Sequence, residues 1–154
     1  MTPMSSRERV LTAFARREPD RVPINYLCNP GIDGRLKQHF GLAADDDEGL
    51  LKALHVDFRS VHAPYRGPRL HAELPGVHVD PLWGIHRRLV VHESGSYWDY
   101  VDFPLRDADE DAVARWALPS PDDYDYSGIA ETCARYSGYA INGAAGFGDI
   151  INGN

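Results

Sequence analysis

Apolar residues recur at helical spacing near the start of the chain and in short unbroken runs further on. Val10, Leu11 and Phe14 fall on one helical face, with Arg7, Arg9, Arg16 and Arg17 largely off it. Ser5 followed by Glu8 predicts a capping box, in which each side chain satisfies a free backbone N–H at the helix start. Pro19 is expected to stop this helix, because the residue before a proline avoids the helical region. Residues 22–27 then read as a short, mostly apolar strand. Pro23 sits at its first positions, where a missing N–H is tolerable.

Ile32, Leu36 and Phe40 share a face four residues apart and predict a second helix over 31–40, ended by Gly41. Asp45, Asp46, Asp47 and Glu48 supply acids to the first turn of a third helix, where they suit the positive end of the helix dipole. Leu50, Leu51 and Leu54 give that helix a buried face. The run is thus a helix start rather than a metal site. Residues 56–63 read as a second strand, and Pro64, Gly67 and Pro68 mark the loop after it. Leu89–Val91 and Tyr97–Val101 flank a Gly-containing turn at 93–96 and predict a β-hairpin, an excursion from the main sheet. Asp109 opens a short helix carrying Val113 and Trp116. Residues 120–125 form a surface connector, 129–136 a helix, and 139–143 a third strand. Strands separated by helical segments predict parallel pairing and βα units, an α/β fold.

Composition narrows the class. A chain of 154 residues, 43% hydrophobic, has the size and make-up of one globular domain spanning 1–154. Its formal net charge of −7 argues against nucleic acid as a partner, since phosphate binding needs a basic stripe. There is no apolar run of the roughly 20 residues a bilayer span needs, and the first residues carry no apolar signal region. Cys28 and Cys133, only two and far apart, read as free thiols. Together these point to a cytoplasmic protein with no membrane contact and no nucleic acid partner.

The opening, with Glu18-Pro19-Asp20-Arg21-Val22-Pro23 after the capped helix, resembles that of the uroporphyrinogen decarboxylase superfamily. Three further stretches resemble it in the same order: Tyr97-Trp98-Asp99-Tyr100, then 116–124 from Trp116 to Tyr124, then Gly143-Ala144-Ala145-Gly146-Phe147. The resemblance spans essentially the whole chain but only the first half of a family member. It is nearer to the divergent, decarboxylase-related branch than to the haem-pathway enzyme. It implies a (β/α)8 barrel, whose active site lies at the C-terminal ends of the strands and which needs about 250 residues. About three barrel strands are expected here, so the resemblance implies a segment truncated at its C-terminal side. The resemblance implies a small-molecule substrate, and the remaining half or a second copy as partner.

The family's decarboxylases bind carboxylate-rich substrates through loop arginines, whose planar fork matches carboxylate geometry. The corresponding stretch here, 28–32, keeps Gly31 and has neither arginine. The end of the second strand, where the family carries a catalytic aspartate, reads Ser60-Val61-His62-Ala63-Pro64. The resemblance also admits a corrinoid-dependent methyltransferase, in which zinc holds a thiol as thiolate. The ligands for zinc and corrinoid would then lie in the later half, and no cofactor is expected within this segment. A non-catalytic α/β fragment or partner-binding module is the reading from a different class.

Barrel strand ends face the site, which nominates Asn25, Asn29, His62, Tyr65, Arg66 and Asn142. His62 is the candidate for acid–base work, because histidine titrates near neutral pH. Asn25, Asn29 and Asn142 could orient a polar substrate, with Tyr65 beside them, and Arg66 could hold an anion; turn chemistry explains Asn29 as well. The remaining histidines show no ligand spacing, and no metal site is expected. Gly143, Gly146 and Gly148 lack the endings and spacing of nucleotide-binding loops. Trp83, Trp98 and Tyr100 read as hairpin packing.

Overall fold

Side-chain caps start four of the described helices, and left-handed residues stop three of them. In the computed structural model, residues 3–93 and 95–143 are described; they carry five α-helices and five strands. In chain order these are α1 (Ser6–Phe14), α2 (Pro30–His39), α3 (Asp47–Ala53), β1 (Phe58–Val61), β2 (His78–Val79), β3 (His86–His92), β4 (Gly95–Tyr100), α4 (Glu110–Ala114), α5 (Ile129–Arg135) and β5 (Ala140–Gly143). The fold is mixed α/β with one parallel and one antiparallel sheet. The described residues cluster into two compact units, 3–62 with 127–143, and 63–126.

In the first unit, Ser5 and Glu8 form the expected capping box on α1. Asn29, Asp46 and Asp109 cap α2, α3 and α4 through their side chains. Pro19 does not end α1. The helix stops at Arg16 (φ 55°), where Arg17 N–H donates to Thr12 and Arg16 N–H to Ala13. The same paired pattern ends α2 at Gly41 (φ 66°) and α3 at His55 (φ 54°).

β1 and β5 pair in parallel, Phe58 beside Ala140 through Val61 beside Gly143. The expected parallel pairing is present. Residues 22–27 are extended but form no ladder, which corrects the expected first strand. Pro23 has no N–H to give, and the N–H of Ile24 is taken by the Asp57 carboxylate at 2.8 Å instead of by a backbone carbonyl. One backbone bond remains, from Asp57 N–H to Ile24 C=O at 2.8 Å, while Ala140 N–H donates to Asp57 C=O at 3.0 Å. Asp57, the residue before β1, thus bonds through its backbone to both the 22–27 segment and β5.

Val10, Leu50 and Val56 are the buried apolar residues of this unit. The expected apolar faces are narrower than their sequence spacing: Leu11 and Phe14 on α1, and Ile32 and Phe40 by α2, are exposed. On α2 the buried residue is Lys37, drawn in by Asp33, Asp47 and the Ala44 carbonyl. Arg59 is also buried. Its fork holds Glu48 at 2.7 and 3.0 Å, and its plane lies 3.8 Å from the Tyr139 ring centre.

The second unit contains the predicted hairpin, β3 and β4, running from Arg87 beside Tyr100 to His92 beside Gly95, with β2 added on the other edge of β3. Val79 and Ile85 are its buried apolar residues. Ser94 of the predicted turn, and Ala144 to Gly148 of the glycine-rich stretch, lie outside the described residues.

Candidate functional site

Tyr26, Cys28 and Asp33, at the start of α2, line a cleft of about 550 Å³ together with Asp47. The Cys28 thiol donates to Tyr26 Oη at 2.8 Å, and Tyr26 O–H donates to Asp33 Oδ1 at 3.2 Å. Asp33 Oδ2 receives Lys37 Nζ at 2.7 Å, and Lys37 also pairs with Asp47. The local sequence builds this cluster. Asn29 and Pro30 start α2, Asp33 and Lys37 stand one turn apart on it, and the extended 22–27 segment delivers Tyr26 and Cys28 to its first turn.

The electrostatics are self-consistent. The hydrogen bond from Lys37 holds the Asp33 carboxyl below its usual range. Asp33 first, then Asp47, raise the Lys37 ammonium above its usual value. The Cys28 hydrogen bond, burial and the nearby Asp33 charge raise the Tyr26 phenol. At neutral pH the cleft thus presents a neutral phenol beside two carboxylates, Asp33 and Asp47, that share the one ammonium of Lys37. It can hydrogen-bond a polar substrate and supplies no unpaired cation for a carboxylate.

Sequence reasoning missed Tyr26, Cys28, Asp33 and Lys37 as a group. The Asp33–Lys37 spacing was a visible signal; the link to Tyr26 depends on the path of the extended segment.

The nominated residues fall differently. Asn29 spends its Oδ1 on the N–H of Ile32 at 2.9 Å, as the cap of α2. Asn25 is exposed on the extended segment. His62 follows the last residue of β1 and is exposed. Asn142 lies on β5 in register with Ser60 and lines a separate cleft of about 450 Å³ beside α1, where its buried Oδ1 has no partner among the described residues. A buried acceptor without a donor is uncommon.

Tyr65 and Arg66 belong to the second unit. Tyr65 Oη donates to Pro68 C=O at 2.9 Å, its ring packs edge-on against Tyr124, and burial raises its phenol. Arg66 is exposed, 3.8 Å from Asp125, and shares a small pocket with Asp122, Asp123 and Asp125. Those carboxylates disfavour an anionic ligand there. Among the described residues, no three His, Cys, Asp or Glu side chains are placed to hold a metal ion, and no helix is long and apolar enough to cross a membrane.

Comparison with protein-family models, curated proteins and solved structures finds no match to this chain.

Proposed function

We propose that the first unit forms opening βα units of a uroporphyrinogen decarboxylase-like (β/α)8 barrel enzyme, with the substrate class unassigned. The observation that carries the reading is the backbone bonding of Asp57, whose N–H donates to Ile24 C=O and whose C=O accepts from Ala140 N–H. That the 22–27 segment and β5 both meet the chain there supports reading them, with β1, as the first three strands of a barrel. Two further features support it. Parallel sheets occur covered on both faces, and two strands are fewer than an independent sheet needs. The segment's C-terminal end leads into the Tyr26–Cys28–Asp33 cleft, and that of β1 into His62, the ends at which barrel enzymes carry chemistry.

The cleft lacks a free cation, so a carboxylate-rich porphyrinogen is disfavoured as the substrate. For the zinc that a methyltransferase of the same superfamily would need, no three His, Cys, Asp or Glu side chains are grouped among the described residues.

The test is turnover by the gene product that carries this chain, on porphyrinogen and simpler carboxylic acids, with and without His62→Ala. The reading expects turnover that His62→Ala lowers about a hundredfold while thermal stability stays unchanged, the scale of a lost acid–base group. Turnover unaffected by His62→Ala removes the assigned role of His62. Cobalt and zinc co-purifying in stoichiometric amounts with the gene product would replace decarboxylation by methyl transfer.

A further inference from the structure

The second unit contains a cleft that the barrel reading does not use. It encloses about 370 Å³, within the roughly 300–1,000 Å³ range of small-molecule pockets. Trp83, Tyr100, Phe103 and Trp116 supply its aromatic lining, and Asp102 and Arg106 its charged groups.

The lining is fixed by local bonds. Asp80 Oδ1 accepts from the N–H groups of Leu82 and Trp83 at 2.9 and 2.8 Å, and Gly84 N–H donates to Asp80 C=O at 3.0 Å. Gly84 has φ 69°, and a Cβ there would meet Trp116 at 2.5 Å and His71 at 2.7 Å. Only glycine lets the Trp116 ring lie on this turn. His71 Nε2 lies 3.0 Å from Ala117 C=O, and its ring packs on Trp116. The Tyr100 and Phe103 rings stack on each other.

Two opposite charges are left for a ligand. Asp102 Oδ1 pairs with His86 Nδ1 at 2.6 Å, and its second oxygen has no partner among the described residues. The Arg106 guanidinium lies over the Phe103 ring, 4.8 Å from its centre, and pairs with no carboxylate there, Asp102 included. A ligand with only a carboxylate would leave the second Asp102 oxygen unused, and one with only an ammonium would leave Arg106 without an acid. A zwitterion with an aromatic ring satisfies both charges and fills the aromatic lining.

We propose that this cleft binds a small aromatic zwitterion, of the aromatic α-amino acid class. The test is a tryptophan-fluorescence titration of the chain carrying Trp98→Phe, which leaves Trp83 and Trp116 as reporters. The ligands are phenylalanine, phenylpropionate (no ammonium) and phenethylamine (no carboxylate). The expected result is a saturable change with phenylalanine. Binding should be at least about tenfold weaker for each analogue, and for phenylalanine after Arg106→Gln or Asp102→Asn, the loss of one charge-assisted hydrogen bond. No saturable change with phenylalanine overturns the proposal, and so does equal binding of either analogue. Arg106 and Asp102 are exposed, so unchanged thermal transitions are expected of both variants. If either transition is lost, the analogue comparison on the chain with both charges intact decides.

Discussion

Asp57 is fully buried and holds more of the first unit together than any other residue. Its carboxylate accepts from Arg9 at 2.6 Å, from Arg21 at 2.7 and 2.9 Å, and from the N–H of Ile24. Arg9 in turn forks onto Asp20 at 2.5 and 2.8 Å. Burial alone would raise the Asp57 carboxyl; the Ile24 N–H, Ser6, Arg21 and Arg9 outweigh it and hold the carboxyl below its usual range. Asp57→Asn removes the charge shared by Arg9, which keeps Asp20, and by the part-exposed Arg21, a loss of about 1.5–3 kcal/mol, measurable by denaturant unfolding. A carboxyl whose native pKa lies below its unfolded value contributes stability that is complete above the unfolded value. That contribution disappears as pH falls through the native one. The unaltered chain should therefore lose stability progressively below about pH 4, and Asp57→Asn should lose less over the same range. Equal stability of the two at neutral pH contradicts this account. None of it was legible in the sequence, where Asp57 sits in an apolar strand run and its arginine partners lie 48 and 36 residues away.

At the scale of elements, helix starts and the Gly41 stop of α2 were legible, and the stops of α1 and α3 were not. Ser5, Asp46 and Asp109 cap where their spacing places them, because an N-cap bond reaches only two or three residues along the chain. The stops at Arg16 and His55 carry no sequence signal, since neither residue favours the left-handed conformation both adopt. Arg16→Gly should stabilise the chain by about 0.5–1 kcal/mol, the relief of backbone strain less the added freedom of the unfolded glycine. A thermal melt checks it, and a lowered Tm would mean that Arg16 does more than end α1. The 22–27 strand failed for a tertiary reason: a carboxylate from β1 takes the N–H that a ladder needs. The hairpin and the β1–β5 pairing were legible because their apolar runs are short and bounded by turn residues. The cleft at Tyr26 and Cys28 was not, because it depends on where the extended segment leads.

At the scale of the whole molecule, the described residues hold few buried apolar side chains against many exposed ones. Phe14 is 73% exposed, Val22 80% and Leu27 96%. All three lie on α1 or the extended segment, the elements that the barrel reading places beside further strands and helices. Ion clusters around Asp57, Arg59 and Lys37 tie the first unit together where its apolar core is small. The reading depends on the 22–27 segment and β5 both bonding to the backbone of Asp57. Through-hydrogen-bond NMR couplings test it most directly. The account predicts a coupling from the Asp57 amide to the Ile24 carbonyl and another from the Ala140 amide to the Asp57 carbonyl. Absence of either, in a spectrum where the β3–β4 couplings are present, would contradict it.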